Sequence, residues 1–398
     1  MWIGLWSKKM TRIGFLIDYP HYIGGMNYIY NLIYAAKMAD EKNEFEFILF
    51  VPENVEDTVL DRYKVFSKVI RTRLCERNSV EWLTYKVSFK IFGSTSRMEK
   101  FLHEHEIDVL SHSNFYSSNL SVKTIEWLPD FQFTRLPHMF TLFERYRRGR
   151  LYKGIINYAD RVVVSSHDGA KDYLEFTDGK PSKKLKVLQF VTQPSSDILD
   201  LEYSPKLMTK YDIEDEFFYL PNQLWKHKNH LVVIRALRIL KGREIKVQVI
   251  CSGSLDDFRD PNFKSTIFDK IAEYELSDNI KFLGLIPYSD VQYLMRYCLA
   301  ILNPSLFEGW SSTVEEAKSI GKGMIISDLG VHFEQAPMDS LFFSREDPVE
   351  LADLIESIIK SKKPGPNHKL ESEAKTLLTE RTKQFGVNYL DLIKDVVK

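Results

Sequence analysis

The chain has 398 residues, a formal net charge of -1, 27% charged residues and three cysteines. That length exceeds one ordinary core and predicts two domains, while the near-zero charge excludes a general attraction to nucleic acid, so any polyanion has to be met locally. Cys75, Cys251 and Cys298 are far apart, odd in number and without metal-ligand spacing, which fits buried thiols in a reducing compartment and excludes a disulfide framework.

The N-terminal "MWIGLWSKKM" is too short for a secretory signal and carries its lysines on the wrong side. No apolar run approaches the roughly 18 to 20 residues of a membrane span, so a cytoplasmic protein is expected. From there, strands alternate with helices. "RIGFLID", "FEFILFV", "DVLSHSN", "KTIEWLP", "RVVVSS" and "KVLQFV" read as buried strands separated by helical spacing such as "MNYIYNLIYAAK", which predicts a parallel sheet covered on both faces. Gly24 and Gly25 follow the first strand, where paired glycines let backbone approach a ligand or simply make a tight turn. The full G-x-G-x-x-G fingerprint is missing. "ERYRRGRLYKG" concentrates Arg145, Arg147, Arg148, Arg150 and Lys153 in a predicted helix, either a solvated face or a contact for anionic lipid headgroups. The aromatic "MWIGLW" would supplement such a contact as an interfacial anchor, or be a disordered end.

"TQPSSDILDLEYSP" breaks the alternation and sets the expected domains at 1–203 and 204–380. The pattern then restarts with "FFYLPN", helix "HLVVIRALRILKG", "KVQVICSG", "KFLGLIP", "LAILNPS" and "GMIISD". Asp347 and Pro348 open a helix with one apolar stripe, and a last helix, about 381–398, is expected to pack back on the first domain. The fold class is therefore α/β: two doubly wound domains facing across a cleft, with ligands beyond the carboxyl ends of the strands.

The chemistry gathers at those strand ends. Lys226 and Lys228 in "LPNQLWKHKNH" stand at a helix start, where cations oppose the dipole unless an anion neutralises them. His227 and His230 lack the acidic or cysteine partners of a metal site. Gly253 in "CSGSLDD" can admit phosphate or ribose, and the backbone of Ile286 in "FLGLIP" can read a base edge. In "NPSLFEGWSSTVEEA" Glu308 sits on a turn with Gly309 and Trp310, and Glu316 comes eight positions later. A capping box, Ser312 with Glu315 or Thr313 with Glu316, accounts for one glutamate. It leaves Glu308 unexplained. Free amides of Ser311, Ser312 and Thr313 at the helix start would bind an anion, and an anion flanked by two hydroxyl-binding acids points to a nucleotide sugar. No D-x-D triplet occurs, so no metal is expected and Lys228 with helix-end amides would carry the pyrophosphate. Asp256 and Asp257 read as solvated.

"PSLFEGWSSTVEEA" resembles the E-x7-E signature of retaining glycosyltransferase family 4, enzymes of the GT-B fold. "KHKN", "CSG", "FLGLIP" and "SDLGVHFEQA" follow in the family's order from about Asn222 to Ala336. The resemblance implies that Glu316 holds the donor ribose, Glu308 the donor sugar's hydroxyls and Lys228 the pyrophosphate, in a metal-independent transfer with retention. The donor would be GDP-mannose-like or a UDP- or dTDP-sugar, the acceptor a glycan or lipid-linked molecule, and the setting surface polysaccharide synthesis. The chain departs from the pattern twice. Gln223 stands where an arginine is frequent, leaving Lys226 as its replacement or not, and Asp130 in "EWLPDFQFTRLP" stands in for a histidine at the end of a central strand. Asp130, unless it is merely a turn residue, is the candidate acceptor-side group. Three rivals stand beside this reading. A retaining glycosidase also uses two carboxylates but needs no lysine and anion site. A sugar-nucleotide epimerase would be an enzyme of another class, and a GT-B pseudoenzyme would bind nucleotide or partners without turnover.

Overall fold

The computed structural model describes residues 10–20, 22–92, 95–115, 117–180, 182–195, 198–335 and 337–398, with the side chains at 90–92 excepted. The "MWIGLW" anchor falls outside them. The chain forms two compact units: 10–131, 141–191 and 380–398 make the first, 132–140 and 192–379 the second. The helix His368–Val397 is continuous across the change at residue 379.

The first unit holds seven parallel strands: β1 (Thr11–Leu16), β2 (Phe45–Val51), β3 (Lys68–Arg71), β4 (Val109–Ser111), β5 (Lys123–Trp127), β6 (Arg161–Val164) and β7 (Leu185–Val187), in the order β3-β2-β1-β4-β5-β6-β7. The second holds six: β8 (Phe218–Leu220), β9 (Val249–Cys251), β10 (Ile280–Phe282), β11 (Ile301–Asn303), β12 (Met324–Ser327) and β13 (Ser340–Phe343), in the order β10-β9-β8-β11-β12-β13. Both are doubly wound, the α/β class expected of each. The strand order reverses between β1 and β4, and again between β8 and β11, where Ile301 lies opposite Tyr219.

The second sheet shows why its strands are apolar throughout. Successive side chains point to opposite faces, so Phe218 and Leu220, Val249 and Cys251, Leu302 and Ile325 join one buried cluster, with Val233, Leu237, Ile267 and Ile355 from the helices above. Tyr219, Ile250, Ile301, Met324 and Ile326 join the other, with Leu294, Val314 and Ala317. Each fully buried aliphatic side chain contributes about 1.5–3 kcal/mol. Two strands escape the sequence pattern: "KVIR" of β3 is half-exposed with charged ends, and "SLFF" of β13 has one fully buried residue. The "KVLQFV" strand ends at Val187, earlier than its apolar run. No helix of the described residues is long and apolar enough to cross a membrane.

Candidate active site

The second unit's expected site residues all follow the carboxyl ends of its strands. Gln223, Lys226 and Lys228 come after β8, Gly253 after β9, Ile286 after β10, and Glu308 to Glu316 after β11. Lys228 and Glu308 thus flank the β8/β11 reversal, the place where an open parallel sheet leaves a crevice.

They are joined directly. Lys228 Nζ donates to Glu308 Oε1 at 2.6 Å, and the side chains are only 16% and 10% exposed. Ser305 Oγ donates to the same oxygen at 2.7 Å. Burial pushes the Glu308 carboxyl up, but the charge and hydrogen bond of Lys228, with Ser305, outweigh it and hold it below its ordinary range. A relay of buried polar groups stands beneath. Ser327 Oγ donates to Ser305 O at 2.7 Å, and His332 Nδ1 donates to Ser327 O at 2.8 Å. His332 Nε2 then accepts from Asn303 Nδ2 at 3.2 Å. Burial lowers the His332 pKa against the pull of Glu308, which agrees with a neutral ring donating at one nitrogen and accepting at the other.

The helix Ser312–Ser319 supplies the second carboxylate, and here the capping expectation is corrected. Ser311 is the N-cap, its Oγ accepting from Val314 N at 3.5 Å. Neither Ser312 with Glu315 nor Thr313 with Glu316 forms the box. Glu315 turns inward, 1% exposed, and accepts from Gln335 Nε2 at 3.0 Å and Lys318 Nζ at 3.2 Å. The Ser311 amide is not free either, because it donates to Gln335 Oε1 at 3.1 Å. The amides of Ser312 and Thr313 remain at the helix start. Thr313 Oγ1 donates to Asn222 Oδ1 at 3.3 Å, and Asn222 Nδ2 to Asn303 Oδ1 at 2.8 Å. Glu316, relieved of capping, accepts from the Tyr288 hydroxyl at 3.0 Å. Burial pushes its carboxyl up to about 7, against the effect of that hydrogen bond. Gly309 and Trp310 are half-buried on the preceding turn.

Gly253 has φ +130°, and a Cβ there would lie 2.8 Å from Gln223 N and 2.9 Å from Gln223 Cα. The glycine is required by the backbone of Gln223 itself. Ile286 packs its side chain against the core. Lys226 is half-exposed and points to Asp260, 3.4 Å away. Asp257 is buried, contrary to its solvated reading, because it accepts from Lys226 N at 3.0 Å and from Arg259 N at 3.1 Å. Arg259, which no motif marks, also donates to Gln132 Oε1 at 3.0 Å, and its Nη2 donates to His227 Nδ1 at 3.1 Å. His227 is held well below the usual histidine range by burial and then by Lys228 and Arg259. Among the described residues, no group of three or more His, Cys, Asp or Glu side chains is gathered as for a metal ion.

In the first unit, Gly24 and Gly25 lie within the first turn of the helix Ile23–Ala39 rather than ahead of it. A Cβ on Gly25 would meet the Tyr22 ring at 2.4 Å, so the glycine makes room for that ring. Asp130 is half-buried after β5, and its carbonyl accepts from the Tyr152 hydroxyl at 2.8 Å. A histidine that the motifs did not mark, His112, directly follows the central strand β4. It is buried, meets Ser111 Oγ at 2.7 Å through Nδ1 and Tyr28 OH at 2.9 Å through Nε2, and burial lowers its pKa to about 3. The Tyr389 hydroxyl donates to Ser111 Oγ at 2.8 Å. In the helix Leu142–Tyr158, Thr141 and Glu144 form a true capping box. Arg145, Arg147, Arg150 and Lys153 are exposed, and Arg148 is half-buried.

Comparison with known proteins bears on the fold and on the sequence of the second unit. Residues 206–377 match the model of the family described as glycosyl transferases group 1. No sequence among curated proteins matches the chain. Among solved structures, a glycosyltransferase from Rickettsia africae is 16% identical with a TM-score of 0.67, covering 98% of this chain and 99% of its own. Anabaena HepE in complex with UDP-glucose is 17% identical with a TM-score of 0.69, covering 96% and 99%. Sucrose-phosphate synthase from Thermosynechococcus elongatus is 14% identical with a TM-score of 0.66, covering 97% and 99%. The chain has the GT-B fold, and most of its second unit carries the sequence pattern of the group 1 glycosyl transferases.

Proposed function

We propose that the protein is a retaining glycosyltransferase of family 4 that moves a sugar from a nucleoside-diphosphate sugar to a hydroxyl acceptor without a metal ion. One observation carries the reading: Lys228 and Glu308 are paired at 2.6 Å at the β8/β11 reversal, and Glu316 follows on the adjoining helix. Among the described residues Glu308 is held by Lys228 and Ser305 through Oε1, and Oε2 would take the donor sugar's hydroxyls. Glu316 takes the ribose. Lys228 and the Ser312 and Thr313 amides meet the pyrophosphate, fixed donors placed where charge develops as the diphosphate departs. The acceptor hydroxyl attacks the same face of the resulting oxocarbenium-like centre and gives its proton to the departing phosphate oxygen, so Glu308 positions and does not attack. UDP-glucose bound to HepE supports a uridine donor as the first to test. Three buried free thiols suit a reducing cytoplasm.

The test is thermal stabilisation by UDP, GDP, dTDP and ADP, with and without EDTA, for the wild type and Glu316→Ala. At about 100 times its dissociation constant, a diphosphate adds roughly 2.7 kcal/mol. A shift that survives EDTA and is lost in Glu316→Ala supports the reading, and proton NMR of the product anomer then decides retention. Absence of any shift overturns it in favour of a pseudoenzyme that binds partners rather than nucleotide.

A lipid-linked acceptor in surface polysaccharide synthesis, reached from the inner face of the membrane, is the accompanying reading. The helix Leu142–Tyr158 supports it, with Leu142, Phe143 and Tyr146 at 80%, 72% and 66% exposure beside its cations. Each basic side chain near an anionic bilayer is worth about 1 kcal/mol. Co-sedimentation with anionic liposomes at low salt, lost at high salt, is expected; indifference to the liposomes rejects it.

A further inference from the structure

The second unit holds a cavity of about 680 Å³ away from the strand ends that gather Lys228 and Glu308, a volume within the roughly 300–1,000 Å³ that small ligands fill. It lies at the opposite, amino ends of the sheet: Leu299 precedes β11, Gly323 precedes β12 and Asp339 precedes β13. Its frame is rigid. Arg296 and Glu371, both buried, are joined by two hydrogen bonds at 2.6 and 3.1 Å. Gly365 N, between two prolines, donates to Tyr297 O at 3.0 Å. Gly321, at φ +64°, lets the chain at Leu370 approach so closely that a Cβ there would lie 2.5 Å from Leu370 C.

The charges in that frame do not balance. Asp339 is paired with Lys362, and Glu371 with Arg296. Among the described residues no carboxylate lies within ion-pairing distance of Lys322, Lys363 or Lys369, which also line the cavity. Lys322 is 8% exposed, and its Nζ donates to the carbonyls of Arg296 at 3.0 Å, Gly365 at 3.1 Å and Cys298. Three acceptors call for three donors, so the group is an ammonium, and with every N–H spent on backbone it offers a ligand its charge alone. Burial disfavours that charge, and a buried charge without a counter-ion is costly. Lys363 and Lys369 are exposed. The helix His368–Val397 starts in the lining, and its first amides have no carbonyl to reach within the helix. We propose that this cavity is a ligand site for a phosphate ester, in which Lys363 and Lys369 contact the phosphate, buried Lys322 is compensated by its charge, and the remaining volume holds a small polar body such as a sugar. A phosphate monoester near neutral pH brings close to two negative charges and three acceptor oxygens, which answers the excess of cations. This site and the donor site share no residue.

The experiment titrates glucose 6-phosphate into the full chain by calorimetry at low salt, with glucose as the uncharged control. Wild type, Lys363→Ala, Lys369→Ala and their double variant are measured beside Lys206→Ala, which removes an exposed lysine of the same unit outside the cavity. Each cavity lysine removed should weaken binding about threefold and the pair about tenfold, as for charge contacts that stay partly in water, while Lys206→Ala leaves the dissociation constant unchanged. An equal loss in Lys206→Ala assigns the binding to overall charge and overturns the proposal. A double variant that binds as wild type does places the ester elsewhere on the chain and overturns it too, as does glucose bound as tightly as its phosphate, or no binding of the phosphate to wild type.

Discussion

Replacing Lys228 with methionine keeps the volume and removes the charge that faces Glu308. At an effective dielectric of about 20, unit charges 2.6 Å apart attract by about 6 kcal/mol, and desolvation of both groups cancels much of that. The carboxylate left behind is 10% exposed, with Ser305 as its remaining direct donor among the described residues. Breaking a buried pair by removing one member costs about 3–5 kcal/mol; the residual exposure places Lys228→Met near about 3 kcal/mol. For a unit of this size each kcal/mol lowers the unfolding midpoint by about 2–4 °C, so the transition of the second unit should fall by about 6–12 °C. Glu308→Gln keeps a hydrogen-bond acceptor for Lys228 and should cost less. The double variant should melt above Lys228→Met, because no uncompensated carboxylate remains, while sugar transfer is lost in all three. Thermal unfolding followed by tryptophan fluorescence, with a double-mutant cycle, measures the coupling. A Lys228→Met protein that melts within a degree of wild type, or additive losses in the double variant, would refute the buried-pair argument.

Three further outcomes are expected. Gly386→Ala places a Cβ 2.0 Å from Ala35 O and 2.5 Å from Ala35 C, a clash with backbone that should destabilise the first unit by about 3 kcal/mol, whereas Gly242→Ala meets nothing within 4 Å and should be neutral or stabilise by up to about 1 kcal/mol; equal melting of the two variants rejects this. His112 and His230 stay neutral in the fold, with pKa values of about 3 caused first by burial. Their unfolded forms take up protons below about pH 6.5. At these two sites the unfolded state then binds more protons, so their contribution is full above about pH 7 and falls by about 1.4 kcal/mol per histidine per pH unit below 6.5, while Glu316 and Glu126, raised by burial to about 7 and about 8, act in the opposite sense. The difference in urea midpoint between wild type and His112→Gln should therefore shrink from pH 7 to 5, and a difference that stays constant contradicts this. Glu316, raised to about 7, accepts from a ribose more strongly as a carboxylate than as a neutral acid, so UDP-glucose affinity should weaken by up to about tenfold from pH 8 to pH 6 and lose that dependence in Glu316→Gln.

Much of this architecture was legible because parallel strands buried on both faces must be apolar at every position, as in "FYL", "VIC" and "ILN". The positions of Lys228 and Glu308 were legible for the same reason: each follows such a run. Hidden were the contacts that depend on residues far apart in the chain. Tyr288 is 28 residues from Glu316 and Arg259 is 127 from Gln132, and neither spacing has a local signature. His112 stood within a quoted strand, but its burial among Tyr28, Ser111 and Tyr389 comes from three separate elements. Asp257 looked like half of a solvated pair because only tertiary structure brings the Lys226 amide to it.

The adjacent glutamates Glu315 and Glu316 show why motif spacing alone could not allot roles. On a helix, neighbours point about 100° apart, so one of two consecutive acids can face the core while the other faces out. A capping box would have tied Glu316 to the helix start if Thr313 were the cap. Moving the cap to Ser311 changes both assignments: Glu315 turns inward to Gln335 and Lys318, and Glu316 is released toward Tyr288. Ser311 is fixed there by Gln335 on its backbone and by Asn303 on its hydroxyl. Asn303 in turn reaches His332, whose ring leads through Ser327 and Ser305 to Glu308. One buried polar relay therefore sets the helix start that presents Glu316 and the turn that presents Glu308. Among the described residues each carboxylate is held from the protein side through Oε1, so a relay member lost, as in Asn303→Leu, should disturb both glutamates together.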